Sequence, residues 1–375
     1  MDLSFHYFAV KTLARAAGFP EGEAQVIAEF SQYMDDNGER IVRRLADIPE
    51  YVREPRYDLV PDIFSDKFTP VQTGFPTNWD LIRLGLDLDQ GQRLCCQAFH
   101  FPPGAKREAA FPAGSKAEKS PRAEAVLAGG GPVVRELMLQ ARDGLKNPAP
   151  GLSRRQLLMR IGMRLHTFAD TYAHQLFSGI ADPRNDAELS FARDNLTGRD
   201  VTGEHKTHIM EFTRRLSNYL PIIPAIGHML LGHAPDLAHL SFSMTRAAPG
   251  GGRLIYSRSN TEEFLRVCRL TLGFLRDCAG GPPFPAFAWG ELKTRLREAF
   301  LIDISKIGFE DGRRLSEELA AHWRGIFPEY WYFYDSSSIF PGAGEGAPDD
   351  YYRFNVFAED QLIALYGEKP RARRF

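Results

Sequence analysis

The stretch Leu165-His166-Thr167-Phe168-Ala169-Asp170-Thr171-Tyr172-Ala173-His174-Gln175 lies in the most regular part of the chain. Around it Leu157, Leu158, Ile161, Leu165, Phe168, Ala169, Tyr172 and Leu176 recur at helical spacing, and Ser153 stands where an N-cap belongs. The spacing predicts one uninterrupted helix from Ser153 to about Phe177, stopped by Ser178-Gly179. His166, Asp170 and His174 are each four residues apart, a step that rotates only about 40°, so the three share a stripe about 80° wide. Two imidazoles flanking a carboxylate make a metal-ligand array.

Axial distance refines this expectation. His166 and His174 lie about 12 Å apart along the axis at a rise of about 1.5 Å per residue, too far for one ion with bonds near ~2.1 Å. The stripe instead suits His166 with Asp170 on one ion and Asp170 with His174 on a second. The carboxylate would then bridge two ions roughly 3.5–4 Å apart, the separation of hydrolytic two-metal sites. Donors of nitrogen and oxygen without sulfur suit zinc first, and manganese or iron less well. The plainer alternative is a polar ridge in which Asp170 hydrogen-bonds one histidine.

Working outward, His6 to Ala17 and Glu23 to Tyr33 read as two helices. Gly18-Phe19-Pro20 separates them, and Met34-Asp35-Asp36-Asn37-Gly38 ends the second. Phe68 to Thr73 is strand-like within a proline-rich tract. Helices are expected at Val133–Leu145, His205–Leu220, Ile222–Leu231, Thr261–Cys278, Gly290–Phe300 and Phe309–Phe327. Ser241 to Ser257, turning at Pro249-Gly250-Gly251-Gly252, reads as a β-hairpin over 241–258. Residues 101–124 read as a mobile basic loop and 367–375 as a basic tail. The fold expected is mostly α: one irregular multi-helix bundle over residues 1–375, with a small β-hairpin and long loops.

The composition excludes several classes. A hydrophobic fraction of 43% rules out whole-chain disorder, and 46 Lys+Arg against 48 Asp+Glu leave no positive field for collecting nucleic acid. No run approaches the ~18 apolar residues of a membrane span, and Met1-Asp2-Leu3-Ser4-Phe5-His6 does not open like a secretory signal. A cytoplasmic protein is expected, with signal-independent export compatible. Cys95, Cys96, Cys268 and Cys278 form no Cys-x-x-Cys pair, so reduced, buried thiols are expected. No Gly-x-Ser-x-Gly elbow and no His-Asp dipeptide occurs.

Further candidate ligands lie elsewhere. If the first two helices pair antiparallel, His6 falls at the same end as Asp35 and Asp36. The segment Gly227-His228-Met229-Leu230-Leu231-Gly232-His233-Ala234-Pro235-Asp236 repeats a Gly-His step. His228 and His233 would stand about 140° apart on a straight helix, so a break at the glycines and Pro235 is needed to aim both at one ion. His100 is a weaker candidate and His322 weaker still, while His205 and His208 read as surface residues.

A helix-borne His-x-x-x-Asp with a nearby His, an N-terminal His, an early Asp and a later His resembles the zinc-dependent phospholipase C and P1 nuclease superfamily. The His-Thr-x-Ala-Asp-Thr-x-Ala-His-Gln and Gly-His-x-Pro-Asp-like segments also resemble a bacterial family without an established activity, over most of the chain. The first resemblance implies an all-helical protein that clusters zinc to hydrolyse phosphate esters. It implies metal ligation by His6, Asp35 or Asp36, His166, Asp170, His174 and His228. Asp170 would bridge, His233 or Asp236 would complete the later pair, and His100 would fill the mid-chain position. Two departures stand out. That superfamily also uses the amine of an N-terminal Trp, whereas Met1-Asp2 opens this chain, so two zinc ions are expected and a third depends on another donor. The gap from Asp170 to the next histidine is shorter here.

The expected activity is metal-dependent hydrolysis of a phosphate-containing substrate, either a lipid headgroup, a nucleotide or a nucleic acid. Asp35 or Asp36 would serve as general base if not a ligand. The basic residues from Lys106 to Arg122 would attract an anion if they did not merely solvate a loop. The run Tyr330-Trp331-Tyr332-Phe333-Tyr334 fits core packing better than a slot for a lipid chain or base. The contrasting expectation is a non-catalytic helical interaction or structural protein with a vestigial or stabilising metal site.

Overall fold

The computed structural model describes residues 1–38, 43–44, 49–52, 67–68, 70–75, 91–103, 129–182, 185–217, 225–247, 252–302, 312–340 and 349–366. A π-helical segment, Ser4–Ala9, runs straight into α1 (Val10–Ala17). Gly18, at φ 104°, closes α1 in the left-handed region that glycine alone enters freely. Pro20 then starts α2 (Glu21–Asp36), with Glu21 and Glu23 in its first turn, where they favour the helix dipole. α2 extends three residues beyond the expected end, so Asp35 and Asp36 sit in its last turn.

The helix that carries the stripe is α4 (Arg154–Ala173), which follows α3 (Gly131–Lys146). Its start is a full capping box: Ser153 Oγ accepts from the Gln156 amide, and the Gln156 side chain accepts from the Ser153 amide. Leu157, Leu158, Ile161 and Leu165 bury its apolar face. Gly162 lets α4 lie almost in contact with the α2 backbone, because a Cβ there would stand 2.3 Å from the Ile27 carbonyl oxygen. α4 stops at Ala173, earlier than the periodicity predicts. His174 is its C-cap, and the chain reverses at Leu176, which adopts φ 78°. That conformation is unfavourable for a leucine; Arg246 Nη1 donates to the Leu176 carbonyl at 2.8 Å and supports the reversal.

The remaining helices are α5 (Thr202–Ser217), α6 (Asn260–Cys278), α7 (Ala286–Phe300), α8 (Gly312–Ile326) and α9 (Asp349–Tyr366). α9 was not anticipated. It ties α4 to a second π-helical segment, Gly91–His100. Arg164 Nη2 donates to the Phe357 carbonyl at 2.7 Å, and Gln361 Nε2 donates to the Ala98 carbonyl at 2.8 Å and to Thr167 Oγ1 at 2.9 Å.

Short strands β1 (Arg43–Arg44) and β2 (Lys67–Phe68) pair antiparallel. The expected hairpin is present as β4 (Leu240–Ala247) and β5 (Arg253–Ser259), with Met244 opposite Tyr256. β3 (Ala187–Asp194) adds a third antiparallel strand that the sequence did not reveal; an irregularity between Leu189 and Phe191 breaks its alternation. The helix expected over Ile222–Leu231 is not formed within the described part. Residues 225–228 are non-helical, only Met229–Leu231 makes a 3-10 turn, and Gly227 and Gly232 take φ of 56° and 54°. Most of the basic loop and the whole tail lie outside the described residues. All four cysteines are buried and none forms a disulfide. Among the described residues no helix is long and apolar enough to cross a membrane.

Candidate metal centre

Eight candidate side chains converge at the end of α4, brought there by five segments. The π-helical start of α1 delivers His6, the last turn of α2 delivers Asp35, and the second π-helical segment ends on His100. α4 delivers His166 and Asp170, and its C-cap is His174. The broken turn after Gly227 supplies His228 and Asp236.

The donors fall into groups. Ligand atoms of Asp35, His100, His166 and Asp170 all lie within 4.8 Å of one another, and so do those of His174, His228 and Asp236. Within the first, Asp170 Oδ2 stands 3.0 Å from His100 Nδ1 and 3.3 Å from His166 Nε2. Within the second, Asp236 Oδ1 is 3.1 Å from His174 Nε2 and Asp236 Oδ2 is 3.2 Å from His228 Nε2. A third set gathers on the other oxygen of Asp170: Oδ1 lies 3.0 Å from His6 Nε2 and 2.5 Å from the Met1 amine. That amine is also 3.3 Å from Asp236 Oδ1.

Each of four histidines commits its outer nitrogen to a backbone carbonyl. His166 Nδ1 donates to Ser31 O at 2.8 Å, His100 Nε2 to Thr73 O at 2.6 Å, His174 Nδ1 to His100 O at 2.8 Å and His228 Nδ1 to Gly232 O at 2.9 Å. A neutral ring that donates outward presents its lone pair inward, which is how metal-ligating histidines are oriented. Thr73 is itself held to α2, since its Oγ1 donates to Met34 O at 2.9 Å and Asn37 Nδ2 donates to Val71 O at 2.9 Å. His6 differs, because its buried Nδ1 has no hydrogen-bond partner.

At His6 and His228 electrostatics favour the same reading. Burial pushes the His6 and His228 imidazoles down to about 4, so at neutral pH they carry no proton to offset the carboxylates. Burial also works against charge on Asp170. The Met1 amine and the histidines around it outweigh that effect and hold it well below the ordinary carboxylate value. Asp236 is held down in the same way by His228 and the amine. Burial opposes a proton on His100 too, but Asp170 and Asp35 overcome it and raise its pKa. The Met1 amine rises to about 11, burial being outweighed by Asp170, Asp236 and Asp35. Three carboxylates therefore meet in a largely buried cluster, balanced in part by the Met1 amine and by His100. The donor chemistry is imidazole and carboxylate without thiolate, and the two groups are geometrically able to hold a metal ion.

Several expectations need correction. Asp36 does not join the donors: it accepts a hydrogen bond from the Tyr334 hydroxyl, and burial pushes its carboxyl up to about 7. Successive helical residues point about 100° apart, so only one of the two aspartates can face His100 and His166. His233 is exposed and belongs to neither group; the left-handed Gly232 separates it from His228. His174 Nδ1 lies 3.8 Å from Asp170 Oδ2 but is committed to His100 O, so it is the other ring nitrogen that points to a carboxylate. The Asp170 oxygens face His6 and the amine on one side and His100 and His166 on the other, while His174 turns its Nε2 to Asp236. The Met1 amine is a participant that the residue pattern did not suggest. The aromatic run divides: Tyr332 and Tyr334 are buried, whereas Trp331 and Phe333 are exposed. His322 donates to or accepts from no site residue and instead faces Ala299 O at 3.2 Å.

The model of a family of unknown function, DUF6765, matches residues 1–355, and the chain belongs to that family. No curated protein and no solved structure matches the chain.

Proposed function

We propose that the protein is a metal-dependent hydrolase of phosphate esters. One observation carries the reading: Asp170 sits at the junction of histidine and carboxylate donors whose outer ring nitrogens are fixed by backbone carbonyls. Asp35, His100, His166 and Asp170 would hold one ion and His174, His228 and Asp236 another. His6 and the second oxygen of Asp170 would form the place for a third, where an ion would displace the Met1 amine from its pair with Asp170. Zinc is the ion that best suits these donors. Ions of this kind supply a water acidified toward a pKa of ~7 and positive charge against phosphoryl oxygens.

The chain's own contribution is orientation and charge. The four carbonyl anchors hold the imidazoles in one tautomer and one rotamer, so the inward nitrogens need no reorganisation to bind. Asp35 is the most open donor, at 31% exposure against 1% for Asp170. Its side is therefore where a substrate enters. Asp35 Oδ1 lies 3.6 Å from His100 Nδ1 and 3.8 Å from His166 Nε2, and Oδ2 lies 4.0 Å from His6 Nε2. That carboxylate is thus both a donor and the group placed to take a proton from an attacking water. A structural metal site is closed on all sides, whereas this edge is open, which favours catalysis over a purely stabilising role.

The test measures metal and turnover on the same preparation. Elemental analysis should find two or three zinc equivalents per chain, and a chromogenic phosphodiester should be hydrolysed by wild type but not by Asp170→Asn. Less than one equivalent, with hydrolysis indifferent to chelators, would overturn the reading. Full metal content without turnover of phosphodiester or phosphomonoester would favour the stabilising role instead.

A further inference from the structure

The turn bearing Asp236 is gripped from outside by the junction of β5 and α6. Arg258 Nη2 donates to Pro235 O at 2.7 Å, directly before Asp236. Its Nη1 donates to Tyr172 O at 2.7 Å, in the last turn of α4 and two residues before His174. One guanidinium therefore spans the two segments that carry His174 and Asp236. Its Nε donates to Asn260 Oδ1 at 2.8 Å, and Asn260 Nδ2 in turn donates to Ala234 O at 2.7 Å and Leu237 O at 2.8 Å. Thr261 Oγ1 completes the grip on Ala238 O at 2.7 Å. The guanidinium packs over the Phe242 ring of β4, 5.1 Å from its centroid.

These side chains stand where a helix start would normally use them as caps. Ser259 precedes α6 without a side-chain cap bond, while Asn260 and Thr261 turn to the 234–238 carbonyls. The polar groups of this junction thus serve the neighbouring turn rather than their own helix.

We propose that Arg258 is the positioning residue of the His174, His228 and Asp236 group: its planar fork sets the separation of the α4 C-terminus from the Asp236 turn. The inference rests on the reading of that group as a metal site. A fork reaching two carbonyls in fixed directions is a property of arginine that lysine lacks. Partners behind metal ligands typically contribute about 10–100-fold in affinity.

Cobalt(II) titrated into the chelator-stripped full chain, followed by visible absorption and elemental stoichiometry, tests this. His228→Ala marks which step of the wild-type titration belongs to the group. Arg258→Met should weaken that step by about 10–100-fold and leave the others unchanged. Arg258→Lys should weaken the same step to a smaller extent. If the marked step is unchanged in Arg258→Met, or every step weakens equally, the proposal fails while the metal reading stands. If Arg258→Met does not fold, Arg258→Lys decides alone: a marked step equal to wild type overturns the proposal. If wild type takes up no cobalt, the metal reading falls and the proposal with it.

Discussion

Gly162→Ala places a methyl group where α4 crosses α2, the contact on which the geometry of the first donor group depends. The new Cβ would stand 2.3 Å from Ile27 O and 3.0 Å from Ser31 N. Both neighbours are backbone and cannot rotate away. Reaching an ordinary contact near 3.4 Å requires the helices to part by about 1.1 Å, and overpacking of this kind costs roughly 1–3 kcal/mol. Alanine recovers up to about 1 kcal/mol of helix propensity over glycine. The net destabilisation is then about 0–3 kcal/mol, a loss of up to roughly 4 °C in Tm for a chain of this length.

The consequence for the site is larger than for the fold. Ser31 O, which holds His166 Nδ1 at 2.8 Å, lies on the displaced stretch of α2, and a shift of that size takes it out of hydrogen-bond range. Metal affinity should fall by about 10–100-fold. Gly273→Ala is the control, since it lies in α6 with nothing within 4 Å of an added Cβ; it should leave affinity unchanged and stability equal or higher. Thermal melts of the metal-free protein and competition titrations against a chelating dye measure both effects. A Gly162→Ala protein that melts at or above wild type and binds metal equally would refute the reasoning.

Two more outcomes follow from the same geometry. His6 and His228 are pushed from 6.5 down to about 4 in the folded chain, so between those values the unfolded chain binds more protons. Each histidine therefore contributes stability that grows with pH from about 4 to 6.5, while Asp2 and Asp36, pushed up to about 7, contribute in the opposite direction over the same window; in melts of the chelator-treated proteins at constant ionic strength, the stability of wild type relative to His228→Gln should rise with pH across that window, and no such rise would contradict it. Gly227→Ala would force alanine to φ 56° and drive its Cβ to 2.5 Å from Phe101 Cζ. Phe101 stacks on His174 at 4.3 Å, so urea unfolding should show a loss of at least ~1 kcal/mol, and an unchanged midpoint would count against that packing.

The helices were legible wherever local periodicity and capping chemistry agreed. α4 announces its start through Ser153 and the apolar spacing that follows it, and the β4–β5 hairpin announces itself through its glycine-rich turn. The misreadings share a cause. The end of α4 is set by Arg246 of β4 donating to Leu176 O, a contact 70 residues distant in the chain, while the local pattern runs on through Leu176. β3 escapes notice because its irregularity breaks the period of two. The second π-helical segment, Gly91–His100, escapes notice because a π-turn is wider than the 3.6-residue period searched for, whereas His6 falls beside Asp35 as expected.

The ligands were legible and their orientation was not. Histidines and carboxylates are rare enough inside a helical face to be noticed, which is how His6, His100, His166, Asp170, His174, His228 and Asp236 could be gathered before any geometry was known. The choices between Asp35 and Asp36 and between His233 and Asp236 depend on facing direction, and direction is set by groups that every residue carries. The acceptors that fix the imidazoles are the carbonyls of Ser31, Thr73, His100 and Gly232, none of which requires a particular side chain for that purpose. Half of the centre is therefore written in backbone, through the crossing at Gly162 and the positive φ of Gly227 and Gly232. Its specificity lies in the few residues that permit those backbone paths as much as in the donors themselves.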